Sequence, residues 1–595
     1  MDKLTYRIGA IPPQRERAVT CREEQKGEVA FIHFTVQSEK EAVFTPLTLR
    51  IYVPAIQVHY RWSPKLHLIK GLNSDWFENL YLTNGFTGAP VECLLSTSQK
   101  NCACIGLSDT LSTIGLKALP VEETGEYEFE IRLFCREAVP RKSYEITIRL
   151  DMREIPYYQS LQEVSRWWET LEGMVPAFVP PNAKELVYST WYSYHQRVSQ
   201  DELLKQCTLA KELGCGTVII DDGWQTEDNA RGYAYCGDWE AAKSKMPDIR
   251  KFTDSLHQIG MRAMFWYSVP FIGERSANFA RFQDMLIDPD AQREWHVLDP
   301  RYPAVREFII ELYEKALAEW GLDGFKLDFV DEFVVTGFSG RESDERRDYQ
   351  SFEEAADRLM TDCISRLKQI KPDILLEFRQ TYNGPRMRTY GNIFRAVDCP
   401  MDDVENKVRV TDIRLIAGDS AVHSDMVMWH YEDSVESAAL QIIQILFSVP
   451  QISMRLEELK REHYQMLKFY CSLWKRYKQA FTDGEFIPLH PTERYSVIKG
   501  IHKNIFVCTY HLTELIEMEN CYDEMLFING TCRSELILSV KEEGMFDREV
   551  YDCMGNLTQK DRFYVKMGVQ IWHVPESGCV LLKKCRSSVI HSNER

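Results

Sequence analysis

The sequence predicts an α/β protein with a central (β/α)8 TIM barrel, an N-terminal β-sandwich before it and a smaller C-terminal β-sandwich after it. Three observations predict this. Short period-two strands fill the chain up to about Met152, apolar β-runs alternate with amphipathic helices from about Ala183 to Leu456, and short strands return after the helix around Glu462 to Tyr477. At 595 residues the chain is also longer than one core fills. The boundaries that follow are 1–155 for the first sandwich, 156–182 for a helical linker, 183–480 for the barrel and 481–595 for the last sandwich.

The first region reads as strands such as Val29-Ala-Phe-Ile-His-Phe-Thr-Val and Tyr144-Glu-Ile-Thr-Ile-Arg-Leu, separated by Gly, Pro and charged turns. A helix is expected from Tyr158 to Met174, and Pro176, Pro180 and Pro181 then mark the connector. Eight barrel strands follow: Leu186-Val-Tyr-Ser, Thr217-Val-Ile-Ile, Arg262-Ala-Met-Phe, Gly324-Phe-Lys-Leu, Asp373-Ile-Leu-Leu, Asn392-Ile-Phe-Arg, Ala421-Val-His and Gln451-Ile-Ser-Met. Ser199-Gln-Asp-Glu202 has capping-box spacing and predicts a helix start.

Composition narrows the function classes. With 71 Lys plus Arg against 89 Asp plus Glu, the net charge is -18, and no clustered cations are available for a nucleic acid partner. No cytoplasm-exporting signal is read in the N-terminal residues, where no apolar run follows the first charges. The most apolar stretch, Ala438 to Met454, is broken by Gln441, Gln444, Pro450 and Gln451, so a buried helix and strand are expected rather than a membrane span. The 17 Cys form no CxxC pair and read as reduced thiols of a cytoplasmic protein, with Cys102 and Cys104 alternating on a strand. No metal site and no organic cofactor is expected. Sequons at Asn529 and Asn556 carry little weight without a secretion signal.

Barrel chemistry lies at the C-terminal ends of strands, so acids just after apolar β-runs are the candidates. Asp221 and Asp222 end the second run and precede Gly223-Trp224; ionised carboxylates accept hydrogen bonds from sugar hydroxyls, and an indole offers an apolar face. Lys326 and Asp328, two apart at the end of the fourth run, share one face, where the ammonium would keep the carboxylate charged as a nucleophile requires. Asp398 follows the sixth run as a candidate general acid/base, with Arg395 depressing its pKa and a nearby ionised nucleophile raising it. Asp402 and Asp403 are rivals, placed ahead of Val404 to Leu415 where helix capping is the alternative role. Two carboxylates beside a sugar pocket suffice for glycoside hydrolysis.

These residues resemble those of the melibiase-type α-galactosidases, glycoside hydrolase families 27 and 36, over roughly Tyr188 to Leu456, and the flanking β-domains resemble family 36 in order. Asp-Asp-Gly-Trp at 221–224 is similar to the family's sugar-binding pair, Gly237-Asp238-Trp239 to its Gly-Asp-Trp element, and Lys326-Leu-Asp328 to its Lys-x-Asp nucleophile. The resemblance implies that Trp191 and Trp266 are pocket walls, and that Arg395 and Asp398 are the arginine and acid/base of the sixth strand. It departs at Leu376-Glu-Phe-Arg379, which lacks the Cys and Gly-rich loop of many members, at Val397-Asp-Cys-Pro in place of Thr-Ser-Asp, and at Trp266-Tyr-Ser-Val in place of Trp-Phe-Glu. Arg379 and Glu377 then sit beside the sugar. The activity implied is retaining hydrolysis of terminal α-galactosyl residues from small oligosaccharides, by a protein that the family relation makes a candidate homo-oligomer. α-N-acetylgalactosaminide or α-xyloside hydrolysis, transglycosylation and sugar binding without turnover are the alternatives.

Overall fold

Eight parallel strands close a barrel in sequence order: Val187–Ser189, Thr217–Ile220, Arg262–Ser268, Gly324–Asp328, Leu375–Arg379, Ile393–Arg395, Ala421–Val427 and Val449–Ile452. The structure is a computed structural model and describes residues 6–11, 17–68, 70–72, 80–136, 139–289, 291–333, 344–379 and 384–585. All eight expected strands are present, shifted by a few residues. Nearly every residue in them is buried, the pattern of strands covered on both faces by helices and core.

Local signals explain where the helices start and stop. Pro303 opens Pro303–Trp320 and Gly321, in the left-handed region, closes it. Ser351 accepts the Glu354 N–H at the start of Phe352–Ile370, and Asp248 accepts the Lys251 N–H at the start of Ile249–Gln258. Ser199 does occupy the cap position of Gln200–Leu213, but its side chain makes no cap bond, so the expected box is not formed. The linker helix spans Tyr157–Trp168, shorter than expected, because two 3-10-type bonds to Trp167 and Trp168 carbonyls tighten the chain ahead of Gly173.

The chain divides into two compact units. The first runs to Asp398 and adds Val408–Met426 and Gln451–Ser453. Its N-terminal part packs a five-stranded sheet on a six-stranded one, with Ile32, Phe34, Leu49, Ile51, Phe129 and Ile131 in the shared core. Cys102 and Cys104 alternate on the strand Asn101–Leu107, as expected. The second unit comprises Cys399–Lys407, Val427–Pro450 and the chain from Met454. It contains the helices Val435–Ile443 and Arg461–Thr482, a seven-stranded sheet and a three-stranded sheet that enclose Phe506, Phe527, Leu538 and Trp572. Among the described residues no helix is long and apolar enough to cross a membrane.

Asn529 is fully buried, and its amide donates to the carbonyls of Arg533, Val574 and Pro575 at 2.6, 3.2 and 2.9 Å, so this sequon is a loop staple; Asn556 is exposed.

Candidate active site

The barrel mouth is built by side chains leaving the ends of successive strands. At the second strand, the Asp221 N–H donates to Thr190 Oγ1 at 3.0 Å, and Lys326 Nζ, reaching from the fourth strand, donates to Asp221 Oδ2 at 2.6 Å. Lys326 and Asp328 do share a face, but Asp221 is the carboxylate the ammonium bonds. Period two fixes the side of a strand, and the neighbouring strand fixes the partner.

Asp222 is buried and accepts from Gln196 Nε2 at 2.6 Å and Gln225 Nε2 at 2.7 Å. Burial pushes its pKa up to about 6 despite those two donors, and the adjacent Asp221 charge adds to the rise.

Asp328, the last residue of the fourth strand, is held from three sides. Arg379 Nε lies 3.0 Å from its Oδ1, Trp266 Nε1 donates to its Oδ2 at 3.2 Å, and the Phe329 N–H donates to its Oδ1 at 2.9 Å. Phe329 takes a left-handed conformation (φ 63°), and the Arg379 guanidinium lies 4.9 Å from its ring centre. Arg379 thus supplies the close cation at Asp328.

Asp398 is bonded by Arg395 Nη2 at 2.9 Å. Its side chain is 38% exposed against 7% for Asp328, so it is the more accessible of the two. Burial raises its proton affinity, but the charges of Arg395, Lys326 and Arg379 outweigh this and hold its pKa below the usual carboxylate value. Of its rivals, Asp402 accepts the Glu405 N–H at 2.8 Å, a helix-capping bond, and Asp403 begins the helix Asp403–Ile416.

Further residues complete the mouth, Asp425 and Tyr192 absent from the sequence reading and Glu377 present in it. Asp425, on the seventh strand, bonds Arg395 and accepts from Tyr192 OH at 2.8 Å. Its signal was the one used elsewhere, an acid within an apolar run, but the run was read as ending at His423. Glu377, on the fifth strand, accepts from Gln451 Nε2 at 2.6 Å, with His423 Nδ1 at 3.5 Å and Arg395 Nε at 3.6 Å. Arg395 is therefore a buried hub for three carboxylates. Burial raises the Glu377 pKa, but His423, Arg395 and Lys326 together bring it below normal.

Trp266 is buried under Asp328, and Trp191 stands partly exposed after the first strand, with its ring 4.9 Å from that of His195 and 5.7 Å from the Arg231 guanidinium. Trp224 and Asp238, two expected pocket residues, are engaged by protein groups. Trp224 is fully buried among Trp239, Phe265, Tyr267 and Trp320, and its Nε1 donates to the Trp266 carbonyl at 3.0 Å. Gly223 (φ 118°) turns the chain inward at that point, and a Cβ there would strike the Gln196 backbone. Asp238 accepts the N–H groups of Ala277 at 2.8 Å and Asn278 at 3.1 Å, and so anchors a loop. Among the described residues, no group of three or more His, Cys, Asp or Glu could hold a metal ion.

Residues 168–388 match the family model described as Melibiase. The likeness is to the melibiases, over the first five strands of the barrel. Its sequence is similar to the α-galactosidase Mel36A of Lactobacillus acidophilus, 26% identical over 234 residues, which are 37% of this chain and 30% of that protein. It is also similar to an A type blood α-D-galactosamine galactosaminidase of Flavonifractor plautii, 23% identical over 195 residues, 29% of this chain and 17% of that one. These matches span less than a third of either relative's length. The fold of the whole chain is that of the glycoside hydrolase family 36 structures. The α-galactosidase of Lactobacillus brevis has a TM-score of 0.65 at 12% identity, covering 98% of this chain and 85% of that one. AgaA of Geobacillus stearothermophilus, variants of which are solved with raffinose and with stachyose, has a TM-score of 0.60 at 15% identity, covering 98% and 87%.

Proposed function

We propose that this chain is a retaining α-galactosidase that removes terminal α-galactosyl residues from small oligosaccharides. The observation that carries the reading is the pairing of two differently housed carboxylates at one barrel mouth. Asp328 is buried and tied to Arg379, and Asp398 is accessible and tied to Arg395. Asp221 and Asp222 beside them are suited to accept hydroxyl hydrogen bonds, and the α-galactosidase relatives point to galactose.

In this reading Asp328 attacks the anomeric carbon while Asp398 gives a proton to the departing glycosidic oxygen. A galactosyl ester on Asp328 results. Water, deprotonated by Asp398, then releases galactose with its configuration retained. Asp398 is ionised in the empty site and must gain a proton before the first step. A bound sugar drives this by expelling water, because desolvation is already the largest influence on Asp398 and acts to raise its pKa.

The test is an assay of wild type and Asp328→Ala against aryl α-glycosides of galactose, N-acetylgalactosamine, galactosamine, xylose and glucose, with NMR of the sugar first released. Galactoside turnover lost in the variant, with α-galactose appearing first, supports the proposal. Turnover on another sugar reassigns the substrate, β-galactose appearing first removes the double displacement, and sugar binding without turnover on any glycoside makes the chain a binding protein.

A further inference from the structure

One aromatic side chain beside Asp328 has no part in the chemistry above. Tyr233 lies in the segment that joins the second barrel strand to the helix Ile249–Gln258, and the chain around it is pinned to the hairpin of Phe271–Gly273 and Trp295–Val297. The Gly273 N–H donates to the Cys236 carbonyl at 2.7 Å, the Arg275 N–H to the Ala234 carbonyl at 2.9 Å, and the Cys236 N–H to the Tyr233 carbonyl at 3.0 Å. All of these residues belong to the first compact unit.

Four aromatic neighbours hold the ring in place. It stacks on Trp266 with 6.2 Å between centres, meets Phe329 and Trp295 edge to face at 5.2 and 5.3 Å, and tilts against Phe271 at 5.1 Å. Trp266 and Phe329 are two of the residues whose N–H groups bond Asp328, so the ring of Tyr233 touches both flanks of the nucleophile. Its hydroxyl is uncommitted: among the described residues nothing hydrogen-bonds it. Burial, reinforced by the charges of Asp328 and Asp222, raises its pKa, so the phenol stays protonated and lies within the field of both carboxylates.

The sugar atoms next to the reacting carbon decide what this hydroxyl meets. In a galactoside attacked by Asp328, the ring oxygen and the 2-hydroxyl flank the anomeric carbon. The ring oxygen gains positive charge as the glycosidic bond breaks, so a proton donor there opposes the reaction. The 2-hydroxyl both gives and takes hydrogen bonds, and bonds to it strengthen in the transition state. A neutral phenol beside the nucleophile suits the second partner and not the first.

We propose that the Tyr233 hydroxyl binds the 2-hydroxyl of the sugar at the reacting position and makes the enzyme selective for substrates that carry it. The proposal rests on the α-galactosidase reading, and the experiment separates the two. Wild type and Tyr233→Phe are compared by kcat/KM on 4-nitrophenyl α-galactoside and on its 2-deoxy analogue. Phenylalanine keeps the four ring contacts and removes one oxygen, and equal urea midpoints check that the fold is kept. The variant is expected to lose about tenfold on the galactoside, the worth of one hydrogen bond, and about twofold at most on the 2-deoxy substrate. Equal losses on the two substrates, or no loss on the galactoside, overturn the proposal and leave the glycosidase reading intact. Turnover confined to glycosides without a 2-hydroxyl overturns it as well. Where wild type cleaves no glycoside, binding of free galactose and 2-deoxygalactose is read by saturation-transfer NMR on both proteins. A preference for galactose that Tyr233→Phe abolishes supports the contact; the same preference in both proteins, or no binding of galactose, overturns it.

Discussion

Replacing Asp222 by Asn isolates what it costs the fold to keep a buried charge for a sugar. The folded carboxyl has a pKa of about 6 against an ordinary 3.8, so the folded state takes up a proton more readily than the unfolded chain. The contribution of Asp222 to stability therefore grows as pH falls below about 6 and levels off near 4, while at neutral pH the ionised, buried group is a burden. One pH unit below the folded value corresponds to about 1.4 kcal/mol. Asparagine brings its own penalty, because Gln196 and Gln225 are both locked as donors: their oxygens accept the Arg231 N–H at 2.7 Å and the Gly223 N–H at 3.0 Å. That penalty does not vary with pH, so it cancels when the two proteins are compared at two pH values. Urea denaturation at pH 7 and pH 5 should show wild type gaining about 1.4 kcal/mol on Asp222→Asn as the pH drops. A gain under about 0.3 kcal/mol, or one of opposite sign, would refute the argument that burial dominates this carboxyl. The same proton should raise the wild-type KM for an α-galactoside as pH falls through 6, since a protonated Asp222 accepts hydroxyl bonds less well.

Other expectations follow from the same geometry. Asp398→Ala should lower kcat/KM by about 10²- to 10⁴-fold on raffinose and much less on 4-nitrophenyl galactoside, whose leaving group needs little protonation; equal losses on both would assign the proton to another residue. Trp224→Ala should cost about 3–5 kcal/mol in chemical denaturation, because its ring is enclosed by four aromatic neighbours; a loss under 1 kcal/mol would place it outside the core. Expressed through a secretory route, the protein should carry glycan at Asn556 and none at Asn529, whose amide is committed to three carbonyls; peptide mass mapping reads both sites.

The barrel was legible in the sequence because its strands are buried on both faces and so appear as short continuous apolar runs, each followed by an amphipathic helix. The acids at the ends of those runs were legible for the same reason. What the sequence did not convey was direction beyond the strand. Asp-Asp-Gly-Trp reads as four residues in one place, yet Gly223 in the left-handed region sends Trp224 into the core while the two carboxylates stay at the mouth. Gly237-Asp238-Trp239 behaves alike: Trp239 packs 4.6 Å from Tyr267 and Asp238 holds a loop. Lys326 was placed on the correct face, but its carboxylate comes from the second strand, a pairing set by barrel closure. Asp425 and Tyr192 escaped notice because the arginine that joins them to Asp398 is an inter-strand contact with no footprint in local spacing.

The register of the fifth and sixth strands sets Arg379 directly beside Arg395. Each guanidinium serves a different carboxylate, yet the charge of Arg379 also reaches Asp398. In the proposed double displacement, esterification of Asp328 would remove the negative charge 3.0 Å from Arg379. The pull of Arg379 on Asp398 would then be less offset, favouring the deprotonated form when the second half-reaction of that proposal needs a base. In that reading the two neighbouring arginines act as a clock: completion of the first bond-forming event prepares the group that performs the next.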